Sequence, residues 1–255
     1  MHDLDAHAAD VMARVVEEES AAREHVVVYL SGAHAYGFPS RDSDLDLKAI
    51  HIAPTRAMLG LSSPPPTHDR MGFVDGVEID YTSNELGHAI AGILRGNGNF
   101  IERVLGQTIV KDGALRSELA PLVQRSLSRR VAQHYRGFAH NQRAELERTP
   151  TVKKLLYVLR TTLTGIHLLG TSELITDVRE TAPAHGVPDV ERLIERKRAG
   201  ERSSLPATER DAWQTTIDSL FTRLDEARDR SPLPDEPTNT AELEAWLIET
   251  QRARL

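Results

Sequence analysis

Two aspartates two positions apart, Asp44 and Asp46, stand in the stretch Ser43-Asp44-Leu45-Asp46-Leu47. They follow a glycine turn, Gly32-Ala33-His34-Ala35-Tyr36-Gly37, that closes the apolar run Val26–Leu30. In a strand, alternate side chains share a face, so Asp44 and Asp46 point one way while Leu45 and Leu47 point into a core. Neighbouring carboxylates repel each other unless a cation neutralises them. A donor set made only of oxygen suits a hard cation such as Mg²⁺, which commonly arrives with a polyphosphate. Small residues in the turn let backbone N–H groups approach phosphate oxygens. Asp-x-Asp alone is equally consistent with a polar-out strand and solvated carboxylates. The strand–glycine loop–strand setting favours a metal–nucleotide site.

Several elements must position this chemistry. Residues 5–23 read as a helix with Val11, Val15 and Val16 on one face, followed by strands at 26–30 and 45–52 and a short helix at 55–61. Asp75-Gly76 between the apolar segments 71–74 and 77–81 is a hairpin signal, because both residues tolerate positive φ. In the second arm Val77, Ile79 and Tyr81 share one face, and Glu78 and Asp80 share the other. Ser83 is the expected N-cap of a helix over 84–95, and a Gly96-Asn97-Gly98-Asn99 break precedes a helix from Phe100. Further helices are expected over 127–148, 151–169 (ended by Gly170), 190–199, 208–228 and 240–254. The pattern is α+β: an α/β front, 1–110, and a helical remainder, 111–255.

Composition narrows the class. The chain has no cysteine, so disulfides and thiolate metal sites are excluded. No apolar run approaches the ~20 residues that span a bilayer, and Met-His-Asp-Leu-Asp has no secretory pattern; a cytoplasmic protein without a membrane partner is expected. The net charge is −7, against a generic nucleic-acid binder. Between Pro121 and Arg160, however, nine basic residues face only Glu145 and Glu147. That segment suits an anionic ligand, or a set of solvated helix faces.

The glycine turn with Ser-Asp-Leu-Asp-Leu resembles the nucleotidyltransferase superfamily of polymerase beta. It is most similar to a bacterial branch of uncharacterised predicted nucleotidyltransferases with the pattern "GS-x-x-YG … SDLDL". The resemblance implies a polymerase-beta-like α/β domain followed by a helical domain. It implies Mg²⁺ (or Mn²⁺) dependent transfer of an NMP from an NTP, with ATP the expected donor, to an acceptor hydroxyl on a small molecule, protein or RNA end. Asp44, Asp46 and Asp80 would be catalytic and metal-binding; Ile79-Asp80-Tyr81 resembles the setting of the superfamily's third carboxylate, with Glu78 the competitor. Gly32, Ala33 and Ser43 would hold the nucleotide, together with Lys153, Tyr157 and Arg160, which match a Lys-x-x-x-Tyr/His-x-x-Arg helix element. Glu102 stands at a family glutamate. Arg198-Ala199-Gly200-Glu201 is similar to an "R-x-G-E" element. Ala33 departs from the pattern, which has serine there. The missing hydroxyl removes a hydrogen bond worth ~1.5–3 kcal/mol to a charged group, and this raises the alternative of a catalytically weakened nucleotide-binding or interaction protein, such as a toxin–antitoxin-like partner.

Overall fold

The computed structural model describes residues 4–199 and 203–255. The elements over these residues are helix α1 (Ala6–Ala22), strand β1 (Glu24–Leu30), helix α2 (Gly32–Ala35), strand β2 (Leu45–Ile52), helix α3 (Thr55–Met58), strand β3 (Thr67–Val74), strand β4 (Val77–Glu85), helices α4 (Leu86–Leu94) and α5 (Gly98–Leu105), strand β5 (Ile109–Asp112), and helices α6 (Ala114–Arg125), α7 (Val131–Arg148), α8 (Val152–Thr171), α9 (Val178–Ala184), α10 (Val190–Ala199), α11 (Ala207–Arg230) and α12 (Thr240–Arg252). Among the described residues no helix is long and apolar enough to cross a membrane.

The chain divides into two compact units, and neither follows the expected 1–110 and 111–255 division. The sheet unit takes residues up to Gly32, then Asp44–Leu127 and Pro237–Leu255; the helical unit takes Ala33–Ser43 and Ser128–Glu236. The glycine-turn segment is thus folded with the helices, and α12 returns to the sheet unit. Sequence order alone hides both crossings.

In the sheet unit the strand order is β3-β4-β2-β1-β5. β2 runs parallel to β4, and the other neighbouring pairs are antiparallel. The alternation read from sequence is what builds the core. Val28, Leu30, Leu45, Leu47, Ala49, Ile79 and Tyr81 pack beneath Val11, Met12, Val15 and Val16 of α1. The pleat therefore turns Asp46, Lys48 and Asp80 to the opposite face. Asp5 caps α1 by accepting from Ala8 N at 2.8 Å. The β3–β4 turn has Asp75 and Gly76 at φ 48° and 82°.

Some boundaries differ from the sequence reading. Ser83 is not an N-cap. β4 stays paired with β2 as far as His51–Glu85, so Ser83 is interior to the strand, and Glu85 caps α4 through Gly87 N and His88 N. The helix expected from Leu127 starts at Val131, after a break that follows α6. α8 passes Gly170 and ends at Ser172, which takes the left-handed conformation at φ 64°. Gly200 and Glu201 of the "R-x-G-E" element lie outside the described residues.

Within the helical unit α8 packs on α7, α9, α10 and α11. The basic segment is largely neutralised there by acids distant in sequence. Arg136 pairs with Asp225 at 2.8 Å, Arg143 with Asp218 at 2.8 Å, Arg129 with Asp235 at 3.2 Å, and Arg130 with Glu236. Lys154 lies 3.6 Å from Glu145, which also pairs with Arg148. The cationic run is mainly a network of partly exposed ion pairs, individually worth about 0–1 kcal/mol.

Candidate functional site

Parallel pairing of β2 and β4 sets Asp46 directly opposite Asp80. Glu78 falls beyond the paired stretch and is exposed, so Asp80 is the acid that meets Asp46. Lys48, two residues after Asp46 and therefore on the same face, places Nζ 2.8 Å from Asp80 Oδ2 and 3.8 Å from Asp46 Oδ1. Burial pushes the Asp46 carboxyl up to about 6, and the negative charges of Asp44 and Asp80 push the same way against the pull of Lys48. Asp44 is half-buried just before β2.

The glycine before the loop is sterically required. Gly32 has φ 63°, and a Cβ there would stand 1.9 Å from Asp46 Oδ2. The adjacent Ser31 N donates to Asp46 O at 2.7 Å. Gly32 and the second aspartate are thus built against each other.

The donor set, carboxylate oxygens gathered around Asp46 with its raised pKa, is of the kind that suits a hard divalent cation. Lys48 supplies compensating charge to this pair, and among the described residues no three His, Asp or Glu side chains converge to hold a metal by themselves. Lys48 was not anticipated; its place at i+2 from Asp46 on the polar face was the available signal.

Of the remaining anticipated residues, all but Glu102 belong to the helical unit. Ala33 is buried at 4 % exposure. Tyr36 lies under Arg160, whose guanidinium carbon is 3.3 Å from the ring centroid, and Tyr157 meets Tyr36 and Phe38 edge-on at 6.0 and 5.3 Å. A Cβ on Gly37 (φ 86°) would stand 2.0 Å from Asp177 Oδ1. The Tyr36-Gly37 pair is therefore explained by packing within this unit. Arg160 is only 6 % exposed, and Lys153 is half-buried on the same helix. Glu102, in α5 of the sheet unit, is buried at 2 %. His167 is half-buried with Nδ1 3.3 Å from His185 Nε2, a structural pair.

Ser43 does not stand alone. Its hydroxyl accepts from Ser40 N at 2.9 Å, and the fully buried Lys197 donates to Ser40 Oγ at 2.9 Å and Ser43 Oγ at 3.2 Å. Lys197 sits in a basic run, Arg196-Lys197-Arg198, that looks solvated. The spacing Val190, Leu193, Ile194, Lys197 nevertheless puts it on the buried stripe of α10.

The sequence pattern of the RNA repair pathway DNA polymerase beta family (RlaP) matches residues 5–249. The chain belongs to this family. An uncharacterised protein of Methanocaldococcus jannaschii is 26% identical over 228 residues, covering 86% of this chain and 91% of its own. A nucleotidyltransferase-like protein of Exiguobacterium sibiricum aligns over 96% of this chain and 80% of its own, at 13% identity and a TM-score of 0.36, too distant to assign residues. The α+β fold and the superfamily resemblance agree with this membership.

Proposed function

We infer that the chain is a divalent-metal-dependent nucleotidyltransferase. Its donor is an NTP, ATP first among candidates, and its acceptor is a hydroxyl at an RNA end. The observation that carries the reading is the in-register Asp46–Asp80 pair closed by Gly32, with Asp46 held near a pKa of 6 by burial and like charge. The family's description, an RNA repair pathway, favours RNA over the small-molecule and protein acceptors.

In the transfer the acceptor oxygen bonds to the α-phosphorus, the bond from that phosphorus to the α–β bridging oxygen breaks, and pyrophosphate departs. The acceptor's proton passes to a carboxylate within hydrogen-bonding reach, and Asp80 takes this role. Asp44, Asp46 and Asp80 would hold Mg²⁺, which supplies charge neutralisation for the phosphates. Gly32 keeps Asp46 in place by leaving room for its carboxylate. Lys48 offsets the acidic charge before substrate enters.

The test is incubation with each α-labelled NTP and Mg²⁺ or Mn²⁺, against RNA oligonucleotides with defined ends, small-molecule fractions and protein fractions. Label on RNA, absent with Asp46→Asn, supports the reading; label on protein or a small molecule changes the acceptor. A second reading is a nucleotide-binding protein with weakened chemistry, favoured by Ala33 and by the Lys48–Asp80 ion pair. NTP binding without any transfer would establish it.

A further inference from the structure

A cavity of about 960 Å³ opens in the sheet unit beside the last turn of α1, where it is lined by Ser20, Arg23, His25, His51, Lys111 and Arg254 among others. His51 shares the α1-facing pleat of β2 with Leu47 and Ala49. It lies five residues beyond Asp46, roughly 16 Å along the strand. The cavity is therefore separate from the carboxylate pair.

Its charges do not cancel. The one lining carboxylate, Glu24, is taken by Arg254 at 2.6 Å. Arg23 pairs with Glu19, which also accepts Arg70 at 3.1 Å and lies 3.8 Å from His68 Nε2. Lys111 makes no ion pair among the described residues.

The imidazoles are wired as neutral groups. Ser20 Oγ donates to Val16 O at 2.5 Å, so it accepts from His25 Nδ1–H at 3.0 Å, which leaves His25 Nε2 to accept from Tyr81 O–H at 2.7 Å. His51, more than nine-tenths buried, is held through Nδ1 by Ser83 Oγ at 2.7 Å. Its Nε2 has no hydrogen-bond partner among the described residues, and the ring lines the cavity. Burial, with the positive charges of Lys111 and Arg23 on His25 and of Arg23 on His51, lowers both to about 4. At neutral pH they are polar, uncharged donors or acceptors in a positive field.

We propose that this cavity is a second ligand site that takes a small phosphorylated molecule. Its phosphoryl oxygens accept from Lys111, Arg23 and His51 Nε2–H, and its body lies on the apolar wall of Ile52, Ala53, Pro54 and Pro65. Separate donors on β2, on β5 and at the α1–β1 junction line this one cavity, and such a set suits the three oxygens of a phosphomonoester. The volume suits a ligand the size of a mononucleotide. The site does not depend on the transfer reaction.

The experiment titrates the full chain with inorganic phosphate and with AMP at pH 7 and low salt, following imidazole resonances by NMR. His51 and His25 should shift with both probes, and AMP should bind more tightly because phosphate leaves the apolar wall uncovered. Lys111→Met should weaken both probes by about tenfold, the scale of one charge-assisted hydrogen bond, without changing the melting temperature by more than a few degrees. Asp46→Asn should leave these shifts intact. The proposal is overturned if His51 does not respond to either probe, if Lys111→Met binds as the native chain does, or if Asp46→Asn abolishes the response, which would place the probe at the carboxylates.

Discussion

Asp46 offers the sharpest test of the site's electrostatics. Its carboxyl is held near 6 in the fold against an ordinary value of 3.8. Between those values the folded chain keeps a proton that the unfolded chain has released. Stability therefore falls as pH rises through that window, and above it the full cost of an ionised, crowded carboxylate is present. A shift of about 2 units corresponds to about 3 kcal/mol, trimmed toward ~2 kcal/mol because water still reaches part of the group. Asp46→Asn keeps the shape and removes the charge. It should be about as stable as the native chain at pH 4 and about 2 kcal/mol more stable at pH 8. Urea unfolding followed through Trp246, in a Trp213→Phe background, reports on the sheet unit that contains this site. Saturating Mg²⁺ at pH 8 should stabilise the native chain, by about 2.7 kcal/mol at a hundred times its dissociation constant, and Asp46→Asn much less. A stability difference that stays flat from pH 4 to 8, or a native chain that gains stability as pH rises relative to the variant, would refute the repulsion argument.

Four further substitutions have definite expected outcomes. Gly32→Ala should destabilise the fold by about 1–2 kcal/mol through its left-handed φ and displace the Asp46 carboxylate, so that the titration of that carboxyl changes in ¹³C NMR; an unaltered titration would remove the glycine from the site. Lys197→Met should speed amide exchange across Ser40–Ser43 and cost about 1–3 kcal/mol for the hydroxyls left short of a charged donor, whereas unchanged protection would show that the loop holds itself. Lys153→Ala should weaken NTP binding more than NMP binding if the resemblance-implied role is right, and equal weakening in paired titrations would return Lys153 to packing. In the same series Arg160→Ala should mainly lower thermal stability, by about 1–2 kcal/mol for the stacked guanidinium on Tyr36, and a pure binding defect would contradict its buried position.

The parts of this protein legible in its sequence are those where period and chemistry coincide. Leu45, Leu47, Ile79 and Tyr81 alternate with acids, so strand pairing, core face and the Asp46–Asp80 juxtaposition were all accessible. The parts that were not legible depend on partners far along the chain. Nothing local marks Asp218, Asp225, Asp235 and Glu236 as the counter-charges of the basic segment, so a surplus by counting becomes a set of ion pairs in space. The Ser83 cap failed because pairing with β2 extended the strand over a residue whose local preference favours a helix start. Lys48 and Lys197 were overlooked because a lysine is read by habit as solvated, although each sits in phase with a patterned face: Lys48 with the acids of β2, Lys197 with the buried stripe of α10. A lysine in phase with acids implies compensation, and one in phase with apolar residues implies buried hydrogen bonding. Both occur beside the residues that carry the proposed chemistry, Lys48 on Asp80 itself and Lys197 on the serine that precedes Asp44. A divalent cation at the carboxylates, as the proposed function requires, would take over the charge that Lys48 balances. Under the proposed function, Lys48 would couple cation binding to the stability of this sheet.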